Sequence, residues 1–391
     1  MEFEINDRLL FLTIHGSHAY GMARPESDID IKGLGVAPRN YYYSFFKNFE
    51  QYEGELSLRD ECKQRLEATI GRSIKSNEKL DSVIYNITKF FKLASQCNPN
   101  IIEVLFVDDE SILYSHKIME MIINNRDLFL SMKANFRFRG YAFSQLKRIK
   151  RHRRWLLNPI ESNPTREDYG LPQRTVMPAD QLQAAESLIQ KKVDEWIFEQ
   201  EDMTPELLSL VRKRTIKSFK EAFTGLGINN ITDEYEDLNK AKLSRGAGKL
   251  LGYSDNFLDL LDSERRYKAP KTEYKQYKSW QKNRNPVRAE MEAESGFDRK
   301  HASHLVRLMK MAKEILSEGK VIVKRPDAEE LLGIRNGSMS YEEVVKWAEF
   351  QDGAIQEIYD SGSSPLPKKP DLNKIDKLHK EVLEAVFKEF D

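Results

Sequence analysis

Two aspartates separated by one isoleucine, Asp28-Ile29-Asp30, follow a Gly16-Ser17 pair after ten intervening residues. On a strand, positions i and i+2 share a face with Cα atoms about 6–7 Å apart. Two carboxylates held that close repel each other unless a cation lies between them. Hard divalent cations take oxygen ligands, and Mg²⁺ takes one or two protein carboxylates together with substrate phosphates. Gly16 has no side chain to keep backbone N–H groups away from a phosphate, and Ser17 adds a hydroxyl at a helix start. A phosphate cradle beside paired carboxylates suits metal-assisted transfer of a nucleoside monophosphate from a triphosphate. Asp-x-Asp alone is common, and by itself describes a strand with two solvated aspartates better than it describes a metal site. Gly16-Ser17 at this spacing, with apolar strands on both sides, makes transfer the stronger reading.

The elements that would position these groups show in the pattern of apolar residues. Arg8 to His15 reads as a buried strand stopped by Gly16, and a brief helix follows from the Gly-Ser turn until Arg24-Pro25 breaks it. Asp28 to Val36 alternates as a second strand, with Ile29 and Ile31 turned toward a core. Asn40 to Phe46 is a tyrosine-rich loop or short helix. Asn48 to Leu56 and Asp81 to Ile87 are further strands, separated by a polar and mobile segment, Ser57 to Lys79. Asn98-Pro99 is an N-cap with proline at the first helical position. From about Ser115 helical periodicity dominates, apart from a short strand expected at Lys320 to Lys324. Prolines mark a linker or long loop over 158–178. Helical blocks follow over 179–222 and 231–265, and helices over 297–318, 326–332 and the last twenty or so residues.

Composition bounds the partners. At 391 residues the chain should form about two or three domains. The 62 basic and 62 acidic residues cancel, so a nucleic-acid surface must be a local patch. Cys62 and Cys97 are too few for a disulfide framework and fit a reducing compartment. The acidic amino terminus is unlike a signal peptide, and no apolar run approaches a membrane span. The expected location is the cytoplasm, or the host cytoplasm for a phage-encoded chain.

Gly16-Ser17, ten residues, then Asp28-x-Asp30 resembles the signature of the DNA polymerase β-like nucleotidyltransferase superfamily. The resemblance implies a third carboxylate on a neighbouring strand, and Asp81 is the best placed, ahead of Glu50, Glu53 and Asp60. A narrower likeness rests on Asp81 with Tyr85, Lys89 to Phe91, Asn98 to Asn100, Glu103 to Phe106, Gly296 to Arg307 and Arg325 to Gly337. These blocks are similar to predicted nucleotidyltransferases of bacteria and large phages, some of them associated with RNA ligases in RNA repair. The resemblance implies an α/β fold with a small mixed sheet of the polymerase β type. That sheet would occupy a catalytic domain over 1–112. A helical region with a basic patch and an insertion would cover 113–265, and a C-terminal helical region over 266–391 would contribute to the active site. It further implies two Mg²⁺ or Mn²⁺ ions on Asp28, Asp30 and Asp81, with the NTP phosphates at Gly16 and Ser17. The expected acceptor is an RNA 3′ end, extended without a template. The alternatives are a protein or small-molecule hydroxyl, or a nucleic-acid-binding module with a vestigial site. Residues of about 158–265 match nothing in that group.

Basic residues supply the remaining candidates. On a helix, Lys300, His304 and Arg307 fall within roughly 60° of one another, with Met311 below them, a ridge suited to nucleotide or acceptor phosphates. His301 lies on the adjacent apolar stripe with Leu305 and Leu308, as a core or hydrogen-bonded histidine. His301 and His304 lack third and fourth ligands nearby in sequence, which argues against zinc. Lys133 to Arg154 carries Arg137, Arg139, Lys147, Arg148 and Arg151 among aromatics and without a single acid. Tyr267 to Arg288, with Arg284 and Arg288, is a second such stretch. Basic side chains interleaved with aromatics suit single-stranded nucleic acid, although solvated charges above core aromatics would look the same.

Overall fold

Apolar residues at alternate positions build a five-stranded mixed sheet. Its strands are β1 (Leu9–His15), β2 (Ile29–Gly35), β3 (Gln51–Glu55), β4 (Leu80–Asn86) and β5 (Ile112–Ser115). They lie in the order β3-β4-β2-β1-β5; β2 and β4 run parallel and every other neighbouring pair is antiparallel. This computed structural model describes residues 3–75, 78–196, 240–284 and 286–391. The chain divides into two compact units, one comprising Met1–Asn158 with Asn285–Asp391 and the other Pro159–Arg284.

In the first unit, Leu12, Ile14, Ile29, Ile31 and Ile84 cover one face of the sheet together with Cys62 and Leu66. Those last two belong to α3 (Asp60–Ile70), which follows α1 (Gly16–Ala19) and α2 (Arg39–Tyr43) in the chain. The polar segment Ser57 to Lys79 is therefore structured in its centre. Two buried apolar residues four apart suffice to seat an amphipathic helix on a sheet. The opposite side of the unit is helical: α4 (Ile87–Ala94), α5 (Pro99–Leu105), α6 (Met119–Ile123), α7 (Lys133–Leu157), α11 (Pro286–Ser295), α12 (Arg299–Glu318), α13 (Ala328–Asn336), α14 (Tyr341–Ser361) and α15 (Leu372–Phe390). Phe90, Ile101, Met119, Phe138, Leu305, Val344 and Val382 share one core there. Asn98 caps α5 through its side chain, with Pro99 at the first helical position as the sequence implied.

One strand went unread in the sequence and one strand expectation needs correction. Ile112–Ser115 pairs with β1, although four residues carry too little alternation to be read in advance. Lys320 to Lys324 is not a strand. It is an irregular segment held by the Arg325 backbone N–H donating to the Tyr20 carbonyl (3.1 Å), with Val323 buried.

The second unit contains α8 (Ala179–Trp196), α9 (Lys240–Leu250) and α10 (Asp255–Asn283). Ile189, Val193, Ala247, Leu258 and Leu261 form its own small core, and Arg166 donates to Glu264 at 3.0 Å. Residues 197–239, which hold parts of both expected helical blocks, lie outside the described residues. Among the described residues no helix is long and apolar enough to cross a membrane.

Candidate active site

Strand register aligns the acids. His15 of β1 lies opposite Asp30 of β2, Asp30 beside Asp81 of β4, and Asp81 opposite Glu55 of β3. Residues level with one another on adjacent strands share a face, so a row of one histidine and three carboxylates crosses four strands. Ile29 and Ile31, pointing the other way, are fully buried and fix which face Asp30 occupies. Asp28 immediately precedes β2 and is exposed, Asp30 is half-buried, and Asp81 is exposed. Burial raises the Asp30 carboxyl above its ordinary range; Lys32 opposes the rise, while Asp81 and Asp28 add to it. The donor set is all carboxylate oxygen and electrostatically strained without a cation, which fits a hard divalent ion.

Gly16 adopts a left-handed backbone, φ +65°, and a Cβ built there would lie 2.1 Å from Asp30 Oδ2. Glycine is thus needed for a reason the sequence did not disclose: the Asp30 carboxylate occupies the space where any other side chain would begin. Ser17 sits in the first turn of α1, half-buried. His18 places its Nε2 in a buried position with no hydrogen-bond partner among the described residues. Burial lowers the pKa of this ring, and Asp30 is close enough to oppose the shift.

A buried polar network supports this row. Glu103 of α5 is 1% exposed and accepts from Tyr20 Oη (2.6 Å) and Arg307 Nη1 (2.5 Å), while His15 Nε2 lies 3.2 Å from it. The Arg307 guanidinium also stacks over the Tyr20 ring at 3.7 Å. Burial alone would raise the Glu103 carboxyl, but Arg307, His15 and Tyr20 outweigh it and hold the group well below the usual range. Lys32 lies 3.5 Å from His15 Nε2 and donates to Asn100 Oδ1 at 3.1 Å. Burial pulls its pKa down to about 8, against the pull of Glu103 and Asp30. Burial likewise takes His15 down to about 4. His15, Tyr20, Lys32, Glu55 and Asn100 were not identified as functional from the sequence. Two signals were present: Lys32 alternates with Asp30, and Glu103 is a lone charge inside the apolar run Ile101 to Leu105.

The ridge expected on α12 does not remain a single exposed cationic surface. Lys300 is exposed and near enough to Asp30 to lower its pKa. His304 is driven down to about 3 by burial and then by Arg307, so it is uncharged at neutral pH. Arg307 is 3% exposed and committed to Glu103. Its pairing partner lies 204 residues away in sequence, out of reach of helical periodicity.

The first basic stretch lies on α7. Lys147 and Arg148 are exposed there, whereas Arg137 donates to Gln96 (2.8 Å) and Arg139 pairs with Asp352 of α14 (2.6 Å). Arg151 stacks on Trp155. Arg284 stacks on Trp280 in the second unit, which holds the second basic stretch as far as Arg284, whereas Arg288 belongs to the first unit with α7. The side chain of Arg288 lies outside the described residues.

Residues 1–224 match the family model described as the RNA repair pathway DNA polymerase beta family, RlaP. The chain belongs to this family. Among curated proteins it is similar to an uncharacterized 38.9 kDa protein of Enterobacteria phage T4, from the nrdC-mobD intergenic region. The two are 25% identical over 203 residues, which is 48% of this chain and 55% of the phage protein. This chain thus spans about half the length of the curated relative it matches. No solved structure matches it. The aspartate row and its glycine fall within the RlaP match; Lys300 to Arg307 lie beyond it.

Proposed function

We propose that this chain is a metal-dependent nucleotidyltransferase that adds a nucleoside monophosphate from an NTP to an RNA 3′ hydroxyl during RNA repair, without a template. The observation that carries the reading is the register of Asp30 and Asp81 on adjacent strands, with Gly16 closed against Asp30. Membership of the RNA repair pathway family supports the RNA acceptor. Asp28, Asp30 and Asp81 would hold two Mg²⁺ or Mn²⁺ ions, which when bound lower the pKa of the attacking hydroxyl and neutralise charge on the leaving pyrophosphate. Gly16 and Ser17 face the β- and γ-phosphates, with Lys300 as a supplementary cation. The acceptor oxygen bonds to the α-phosphorus, the bond from that phosphorus to the bridging oxygen breaks, and pyrophosphate departs with both electrons. Asp81, an exposed member of the row beside Asp30, takes the proton from the acceptor hydroxyl. Lys32 and Arg307 work from beneath, one holding positive charge beside Asp30 and the other fixing Glu103 and Tyr20. They are positioning residues in this account. The RNA would be a cytoplasmic one, that of the host for a phage-encoded chain. Lys147 and Arg148 are exposed basic groups of α7 that would meet its backbone, and an RNA ligase would seal the extended end.

The test is a panel of labelled NTPs offered with Mg²⁺ or Mn²⁺ to RNA, DNA and protein acceptors, with Asp30→Ala alongside. Label on RNA in the wild type alone supports the proposal. Label on protein or a small molecule would move the acceptor to that class, and RNA binding without NTP turnover would leave only a binding module.

A further inference from the structure

α7 and the start of α12 bring together two imidazoles and a carboxylate that the aspartate row does not use. His152, Asp298 and His301 each offer one ligand atom, and these three atoms lie within 4.8 Å of one another. His301 Nε2 and Asp298 Oδ2 are already 3.4 Å apart. Metal–ligand bonds of about 2.0–2.1 Å in a tetrahedron give ligand-to-ligand edges of about 3.3 Å. One edge of such a site is therefore formed, and a small inward shift of His152 would complete the triangle.

The three groups are held by separate supports. Asp298 is 4% exposed and caps α12, its Oδ1 accepting from the His301 backbone N–H at 3.0 Å. That bond orients the carboxylate and directs Oδ2 to the histidine, the kind of outer contact that fixes metal ligands. His152 stacks on the buried Trp155 ring at 5.5 Å with an interplanar angle of 21°. The chain just before Asp298 is drawn to α7 by Arg153, which contacts the Gly296 carbonyl at 3.4 Å and lies over Tyr341. Two nitrogens and one carboxylate oxygen make a borderline donor set suited to zinc and its neighbours, with water in the fourth position. Magnesium prefers the all-oxygen row on β2 and β4.

We infer that His152, Asp298 and His301 form a zinc-class metal site that clamps the end of α7 to the start of α12. Sequence spacing argued against zinc because the partner of His301 lies 149 positions upstream, on another helix. The site differs from the carboxylate row in its donor chemistry and shares no residue with it, and it does not depend on the transfer activity proposed above.

The test uses the full chain, stripped with a chelator and titrated with Co²⁺, then with Zn²⁺ in competition. Wild-type protein should take up one tight equivalent of cobalt with the intense visible d–d absorption of a four- or five-coordinate ion, separate from any weakly absorbing cobalt on the carboxylate row, and zinc should displace it. His152→Gln and His301→Gln should each weaken cobalt binding by ~100-fold or more, while His379→Gln on α15 leaves it unchanged. Melting in chelator checks that each variant folds like the stripped wild type. Should a variant misfold, the wild-type titration decides alone. Absence of the tight, intensely absorbing cobalt equivalent in the wild type, or its presence undiminished in well-folded His152→Gln and His301→Gln, overturns the site.

Discussion

Gly16→Ala separates the geometry of the Asp30 carboxylate from every other consequence of altering that turn. The new Cβ would lie 2.1 Å from Asp30 Oδ2, against an ordinary contact of 3.4 Å or more, so the carboxylate must retreat by about 1.3 Å. A misplacement of ~1 Å at reacting groups costs about 100-fold in rate, and a loss of at least that size is expected in kcat for nucleotide transfer. The left-handed backbone adds a stability cost of about 1–2 kcal/mol for any residue with a Cβ. Gly71→Ala is the matched control: Gly71 has φ +71°, and a Cβ there meets nothing within 4 Å. Both variants should lose similar stability in urea unfolding, and only Gly16→Ala should lose transfer of labelled NMP. Equal activity in the two variants, or equal loss, would refute the idea that Gly16 is glycine on account of Asp30.

Three further outcomes follow from the site. Glu103→Gln leaves Arg307 buried without its counter-ion and should lower unfolding free energy by ~3–5 kcal/mol, with Arg307→Met in the same chain recovering part of it. Since Glu103 is held below its ordinary pKa, its contribution is full above the unfolded range and lost as pH falls, so the wild-type advantage in urea should shrink on acidification. Asp30 is the opposite case: its pKa is raised, so its stabilising share is present at low pH and lost as pH rises through the folded value. Asp30→Asn should therefore raise the melting temperature of the metal-free protein at neutral pH while reducing transfer by about 100-fold or more; a lower melting temperature would contradict the reasoning. Lys32, pulled to about 8, should lose its charge and the rate with it above that pH. In Lys32→Arg the alkaline limb of the pH–rate profile should move upward, and an unmoved limb would assign it to another group.

How much of this was legible in the sequence depended on how far apart the partners lie. The alternation through Ile29 and Ile31 specified both the strand and the face of Asp30, and the level placement of Asp81 followed the expectation of a neighbouring-strand acid. The cap at Asn98-Pro99 was equally local and equally visible. What stayed hidden was created by tertiary contact. Nothing near Arg307 indicates that its guanidinium is spent on Glu103, so a ridge defined by helical angle alone counted it as a surface cation. Cys62 and Leu66 gave too faint an apolar signal to distinguish α3 from a mobile loop, because only one narrow stripe of that helix meets the sheet. Lys320 to Lys324 has the short apolar run of a strand, yet the residue after it, Arg325, ties the chain by its backbone N–H to the Tyr20 carbonyl after α1, and the segment pairs with no strand of the sheet.

The central claim is that the row of Asp30 and Asp81 transfers a nucleotide to RNA, and its most direct measurement is incorporation of α-labelled NTP into a panel of RNA 3′ ends with Mg²⁺ or Mn²⁺. The account predicts that RNA lengthens with release of pyrophosphate in the wild type, and that Asp30→Ala and Asp81→Ala show no incorporation while remaining folded. Failure of the wild type to extend any RNA in a broad panel, or incorporation that survives both substitutions, would contradict it.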